Sequence, residues 1–286
     1  MNLYVISVIG NYSLPEVTND EIEQIIQKKT VAGKHGTARS IRSMLKVVLD
    51  YAVEKKFIAT NPVASIKYYN IRPKTDRDRF LNEQEIGEFL NLVYSTDNIH
   101  VKYKIAIHLL LMLLLRKTEL IHAKWEQVDF NKQTFTLYTS KTNAQLVILL
   151  PTQAITVLEI LKAWSLEANC LSDYIFSGFI NHNVPIHENS LNKHVGVINK
   201  KMFGNNNDKY FTIHDLRRTG TTHLSEMEYD SDYIEVALNH KKTGIKKVYH
   251  RSKHINTRKK MLQVWADEIY RLIGKELLPY DHAVGA

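Results

Sequence analysis

Eight residues, Thr212-Ile213-His214-Asp215-Leu216-Arg217-Arg218-Thr219, set an imidazole and a guanidinium three positions apart. Thr212 followed by Asp215 is a capping-box pattern, which predicts a helix starting here with His214 and Arg217 in its first turns. Side chains three apart share one face of a helix. The first turn also presents unpaired N–H groups and a partial positive charge, so the two side chains would complete a seat for a phosphodiester. Downstream, His240 and Tyr249 stand nine residues apart. If all four converge, one phosphate meets several charge-neutralising donors and a phenol that could attack it.

Composition narrows the partner. The 286-residue chain carries 38 Lys and Arg against 30 Asp and Glu, a formal net charge of +8, and 44% of its residues are hydrophobic. That length and apolar content suffice for one large or two modest folded domains. The positive balance favours an anionic partner, nucleic acid before membrane. The single cysteine, Cys170, with no CxxC pair, offers neither an internal disulfide nor a thiolate metal site and fits a reduced, intracellular setting. The longest apolar run, residues 105–115 interrupted by His108, is too short to span a bilayer and reads as a buried helix. Residues 1–10 lack the basic start and cleavage site of a signal peptide. Among the 13 histidines, His250 and His254 have helical-ligand spacing, but no third ligand and HExxH-like base accompany them. There is no P-loop, GxGxxG or Ser nucleophile elbow, so no metal, ATP or nicotinamide cofactor is expected.

The elements that must position the chemistry follow from periodicity and punctuation. A short helix is expected over residues 21–29, after the turn and cap residues Pro15, Thr18 and Asn19. Ile41, Leu45, Val48, Leu49, Ala52, Val53 and Phe57 repeat at helical spacing, with Arg39, Arg42, Lys46, Lys55 and Lys56 largely elsewhere on that helix, and Asn61-Pro62 as its stop. Those cations read equally well as a solvated face or as DNA contacts. Lys67, Arg72, Pro73, Lys74, Arg77 and Arg79 form a basic stretch without apolar periodicity, the best linker candidate. Asn82 with Glu85, flanked by Leu81 and Ile86, predicts a capped helix opening a new domain. Phe135 and Leu137 alternate with Thr134, Thr136 and Tyr138, and Val147-Ile148-Leu149-Leu150 follows before Pro151, so residues 134–150 read as a β-hairpin with Lys141 at its tip. Helices are expected over 155–166 and 190–201. Met261, Trp265, Ile269, Leu272 and Ile273 form an apolar stripe that Gly274 terminates.

The spacing His-x-x-Arg, then Leu238-Asn239-His240, then Tyr249 resembles the second half of the tyrosine recombinase (phage integrase) active site, with the closest likeness to integrases of temperate phages and genomic islands. Arg116-Lys117-Thr118-Glu119-Leu120 with Trp125 downstream resembles the family's first arginine motif, Arg-x-x-Glu-Leu, and Lys141 matches its hairpin lysine. The resemblance covers residues 5 to 273, with its strong motifs from Arg116 onward. It implies a mainly α fold with a small antiparallel β-sheet in two domains. Residues 1–66 would be a partial helical core-binding domain, 67–80 a basic linker, 81–274 the catalytic domain and 275–286 a C-terminal tail. The implied catalytic set is Arg116, Lys141, His214, Arg217, His240 and Tyr249, with Glu119 orienting rather than reacting. DNA contacts would include Arg39, Arg42, Lys46, Arg72, Lys74 and Arg77.

The implied activity is site-specific recombination, cleaving and rejoining strands through a 3′-phosphotyrosine to integrate or excise a mobile element without metal or ATP. Its setting would be the cytoplasm, on nucleoid DNA. Double-stranded attachment-site DNA, a homotetramer on that DNA and accessory DNA-bending or excision factors are the implied partners, with no membrane. Two departures accompany the likeness. Leu113-Leu114 replaces the usual Thr-Gly before the arginine, and a leucine tolerates positive φ poorly, so the approach to Arg116 is expected to be altered. Integrases of this kind also carry an arm-site-binding domain and further helices before the point where Met1 stands, so the chain reads as N-terminally truncated. Rival readings are a non-catalytic DNA-binding remnant and a type IB topoisomerase. The C-terminal helix would dock either on a neighbouring protomer, as is frequent in the family, or on its own domain.

Overall fold

The computed structural model describes residues 2–67, 78–139, 144–170, 172–238 and 255–274. Helices dominate, with one small sheet, and the chain divides into two compact units, Met1–Arg77 and Asp78–Ala286.

In the first unit a single turn, Ser7–Ile9 (α1), precedes Asn19–Val31 (α2) and His35–Glu54 (α3). Thr18 caps α2, with Glu21 closing the capping box, and buries Ile22, Ile25 and Ile26 against Ala38, Ile41, Leu45 and Leu49 of α3. Two expectations for this helix are corrected. Arg42 is buried at 7% exposure and donates from Nε to the Ile66 carbonyl at 2.5 Å, so it braces the 58–66 turn instead of lying on a solvated face. The helix also ends at Glu54, before Asn61-Pro62, because Lys56 takes a left-handed φ of 61° and the Phe57 N–H closes onto the Ala52 carbonyl. Phe57 is consequently exposed rather than in the stripe, and Val48, within the helix, lies on its exposed side.

The second unit opens on Glu83–Ser95 (α4), with Asn82 and Glu85 making both bonds of the capping box and Leu81 and Ile86 fully buried. Val101–Leu113 (α5) is apolar from Ile105 onward except for His108 and buried on every side there, which marks a fully enclosed helix. Helices α4, α6 (Lys117–Ile121), α7 (Thr152–Glu167), α8 (Ser190–Phe203), α9 (Ile213–Glu226) and α11 (Ile255–Ile273) pack around it. The short α10 (Ser231–Ala237) joins α9 and α11. His108 sits inside this core, bonded through Nδ1 to the Tyr94 hydroxyl at 2.8 Å, and burial lowers its pKa to about 4. The sheet runs β1 (Val128–Asp129), β2 (Thr134–Thr139), β3 (Ala144–Leu149), all antiparallel, with Phe135 opposite Ile148 and Leu137 opposite Leu146. Those four side chains face the core. Helix α11 docks on its own unit: Trp265 is fully buried and donates from Nε1 to the Leu111 carbonyl at 2.9 Å. Truncating such an indole costs about 3–5 kcal/mol, so this helix is part of the core. Among the described residues no helix is long and apolar enough to cross a membrane.

Candidate active site

Helix α9 starts as its sequence requires. The Thr212 N–H and hydroxyl both donate to Asp215 Oδ2 at 2.8 Å, and Arg218 Nη1 meets Asp215 Oδ1 at 2.5 Å. Asp215 is buried, so its charge depends on these donors and on the N-terminal dipole. Fixing this turn orients two side chains. His214 stays exposed at the rim, and Arg217 turns inward with its side chain 5% exposed.

Arg217 is held by main-chain carbonyls. Nη1 donates to the Leu114 carbonyl at 2.6 Å and Nη2 to the Leu238 carbonyl, each at the C-cap of its helix. A guanidinium has five N–H donors, so the carbonyls of α5 and α10 share it with whatever anion enters. Burial first, then Arg116, lowers its pKa to about 10, leaving it cationic at neutral pH.

Arg116 arrives from the other side, as the N-cap of α6. Glu119 Oε2 accepts its N–H and Oε1 its Nη1, both at 2.8 Å, while Arg217 Nη1 lies 4.0 Å from Glu119 Oε2. One carboxylate thus separates two guanidinium groups that would otherwise repel. Arg116 keeps 40% of its side chain exposed, facing outward where Arg217 is enclosed. His214 feels the same field: its pKa is lowered by partial desolvation, then by Arg218, Arg217 and Arg116 against the opposing pull of Asp215. At neutral pH it is therefore an unprotonated imidazole able to take a proton.

The structure thus brings Arg116, His214 and Arg217 together, from segments about 100 residues apart. Lys141, His240 and Tyr249 lie outside the described residues, as do Arg72, Lys74 and Arg77. Arg39 is half-buried on α3, and Lys46 is exposed and paired with Asp50 at 2.6 Å. Among the described residues no group of three or more His, Cys, Asp or Glu could hold a metal ion.

Several supporting residues carried no chemical signal in the sequence. On the back of α9, Thr219 Oγ1 accepts the Leu81 N–H at 2.9 Å and His223 Nε2 bonds the Leu81 carbonyl at 2.8 Å. Arg79 reaches the Lys209 carbonyl at 2.9 Å and forms a two-pronged pair with Glu85 at 2.8 and 2.9 Å. The first residues of the second unit are therefore pinned to the helix that carries His214 and Arg217. Leu114 adopts the left-handed conformation, φ 55° and ψ 27°. The turn before Arg116 is made without a glycine, and the usable signal was Gly220, a helix-interior glycine, which usually marks a packing need.

Comparisons with known proteins identify the family and the fold. The Phage integrase family model matches residues 79–255, and the Phage integrase central domain model matches residues 1–69. Prophage integrase IntZ of Escherichia coli (strain K12) is 26% identical over 268 residues, covering 93% of this chain and 63% of that protein. The integrase of Enterobacteria phage P4 is 24% identical over 284 residues, covering 93% of this chain and 62% of its own. The chain thus spans a little under two thirds of the length of these relatives. Among solved structures, lambda integrase(75-356), a dimer bound to a COC' core site, superposes with a TM-score of 0.62 at 20% identity over 84% of this chain and 85% of that one. A lambda integrase tetramer bound to a Holliday junction gives 0.59 at 20% identity over 80% and 66%. With both family models matched in order along its length, the chain belongs to the phage integrase family of tyrosine recombinases.

Proposed function

We propose that the chain is a site-specific DNA recombinase that integrates or excises a mobile element, using Arg116, Lys141, His214, Arg217, His240 and Tyr249. The observation that carries this reading is the pairing of Arg116 and Arg217 across Glu119 beside a neutral His214. Two fixed guanidinium groups suit the non-bridging oxygens of a phosphodiester, whose charge must be neutralised as phosphoryl transfer proceeds. A phenol of ordinary pKa about 10 is a weak nucleophile at neutral pH. His214 accepts the Tyr249 proton as Oη bonds phosphorus. The P–O5′ bond breaks, Lys141 protonates the departing 5′-oxygen, and His240 donates to the phosphate. The 3′-phosphotyrosine conserves the bond energy, and attack by a 5′-hydroxyl reverses each step.

Residues 1–66 and 81–274 serve in this reading as core-binding and catalytic domains, joined by the basic linker 67–80 and followed by the tail 275–286. Arg39, Lys46, Arg72, Lys74 and Arg77 are proposed to meet the DNA backbone, while Arg42 braces the first unit. Exchange between two duplexes needs four tyrosines, so a homotetramer on DNA is proposed, supported by the lambda tetramer on a Holliday junction. Bending or excision factors would assist it on cytoplasmic, nucleoid DNA. The test supplies purified protein with a plasmid bearing paired attachment sites from the element's junctions. Recombinant product that falls steeply with salt is expected. Relaxation of a single-site plasmid without recombinants would replace this reading with a topoisomerase, and binding without either product would replace it with a DNA-binding remnant.

A further inference from the structure

The left-handed turn at Leu114 is what turns the chain out of α5 towards Arg116, and a leucine does not adopt it unaided. Three contacts impose it. The Leu114 carbonyl accepts from Arg217 Nη1 at 2.6 Å. Its side chain is fully buried and fills the space beside Gly220: a Cβ on residue 220 would stand 2.1 Å from Leu114 Cδ2 and 3.1 Å from Trp265 Nε1. Trp265 closes the far flank, bonded to the Leu111 carbonyl in the last turn of α5 and stacked on His223 at 5.5 Å. With the indole on one side, a methyl group at residue 220 must push the end of the Leu114 side chain out of its place.

We propose that Gly220 is a positioning residue: the space left by its missing side chain seats Leu114 and so imposes the turn that sets Arg116 opposite Arg217. A glycine at position 114 would make the same turn with no seat, because it reaches positive φ without a Cβ penalty. Residues 114 and 220 therefore act as a pair, α9 supplying through packing what α5 lacks in backbone freedom. As a role in strand cleavage this rests on the recombinase reading above, but the seat itself does not.

The experiment compares the wild-type chain, Gly220→Ala, Leu114→Gly and the double variant in single-turnover cleavage of a nicked attachment-site duplex, with DNA affinity measured separately by gel shift. Gly220→Ala is expected to slow adduct formation about 10- to 100-fold, the cost of misplacing a catalytic group by an ångström or less. Its affinity for the duplex should stay within error of wild type. Adding Leu114→Gly should restore most of the rate, because the clash is gone and the turn is free. A second readout needs no catalysis: the double variant should unfold at a higher urea concentration than the sum of the two single effects allows. Gly220→Ala cleaving at the wild-type rate, a double variant cleaving no faster than Gly220→Ala, or two single effects on urea stability that simply add, overturns the seat. A wild-type chain that forms no adduct but shows the unfolding coupling removes the recombinase reading and leaves the seat standing.

Discussion

Arg217→Ala is expected to destabilise the second unit, although removing a charged side chain from an active site often has the opposite effect. Two terms compete. Burial and the neighbouring Arg116 lower the Arg217 pKa to about 10, which amounts to about 3 kcal/mol against the charged form. Relieving that penalty favours the alanine. Against it stand the carbonyls of Leu114 and Leu238, both on buried residues, which lose their donor together. Hydrogen bonds from a charged donor contribute about 1.5–3 kcal/mol each, or about 3–6 kcal/mol for the two. The balance of these two is a net loss of about 0–3 kcal/mol, and the loss of Glu119's neighbouring cation adds to it and makes the change destabilising. Arg217→Lys keeps the charge but cannot fork to two carbonyls, so it should recover about half of that stability and little of the cleavage rate. The assay is urea unfolding followed by tryptophan fluorescence. All three tryptophans, Trp125, Trp164 and Trp265, lie in the second unit, so the signal reports that unit alone. An Arg217→Ala midpoint equal to or above wild type would refute the carbonyl bridge.

Three further outcomes follow from the same geometry. Glu119→Gln should slow strand cleavage about tenfold by loosening Arg116, yet cost less than about 1 kcal/mol in urea, because the ion pair is partly solvated; an unchanged single-turnover rate would count against the orienting role. His108 takes a proton in the folded protein only below about pH 4, whereas the unfolded chain takes it near its ordinary pKa of about 6.5. Stability should therefore fall by about 3 kcal/mol as pH drops from about 6.5 to 4, and be indifferent to His108 above that window. Urea midpoints across that range should flatten in His108→Gln; a slope equal to wild type would show that other groups carry it. His214, held below its ordinary value, should leave cleavage at full rate from neutral pH upward, with the acid limb below about pH 6.5. Single-turnover rates against pH check this, and a limb above neutrality would reassign the base.

The parts legible in the sequence were those written locally. The Thr212–Asp215 and Asn82–Glu85 caps, the Phe135 and Leu137 alternation of the hairpin and the Trp265 stripe each depend on neighbours a few residues away or on simple periodicity. Three features could not be read that way, two of them because they depend on distant partners and one because a lysine makes a left-handed turn. Arg42 is buried because the Ile66 carbonyl, 24 positions on, takes its Nε–H. Phe57 leaves the α3 stripe because Lys56 turns left-handed first. Leu114 accepts a backbone conformation poor for leucine because α9 and α11 close on it, so the missing glycine did not remove the turn. In the site, spacing placed His214 and Arg217 on one helix, but Arg116, 101 positions before Arg217, could be joined to them only by resemblance to a family. That convergence is the product of tertiary packing around α5.

The most direct test of the account is the covalent link itself. Purified chain is incubated with a nicked attachment-site duplex, denatured in SDS and digested, and the DNA-bearing peptide is sequenced by mass spectrometry. The expected result is an SDS-resistant adduct with the 3′-phosphate on Tyr249, lost in Tyr249→Phe and strongly reduced in Arg116→Ala. An adduct undiminished by Tyr249→Phe, or one on another residue, would contradict the proposed chemistry.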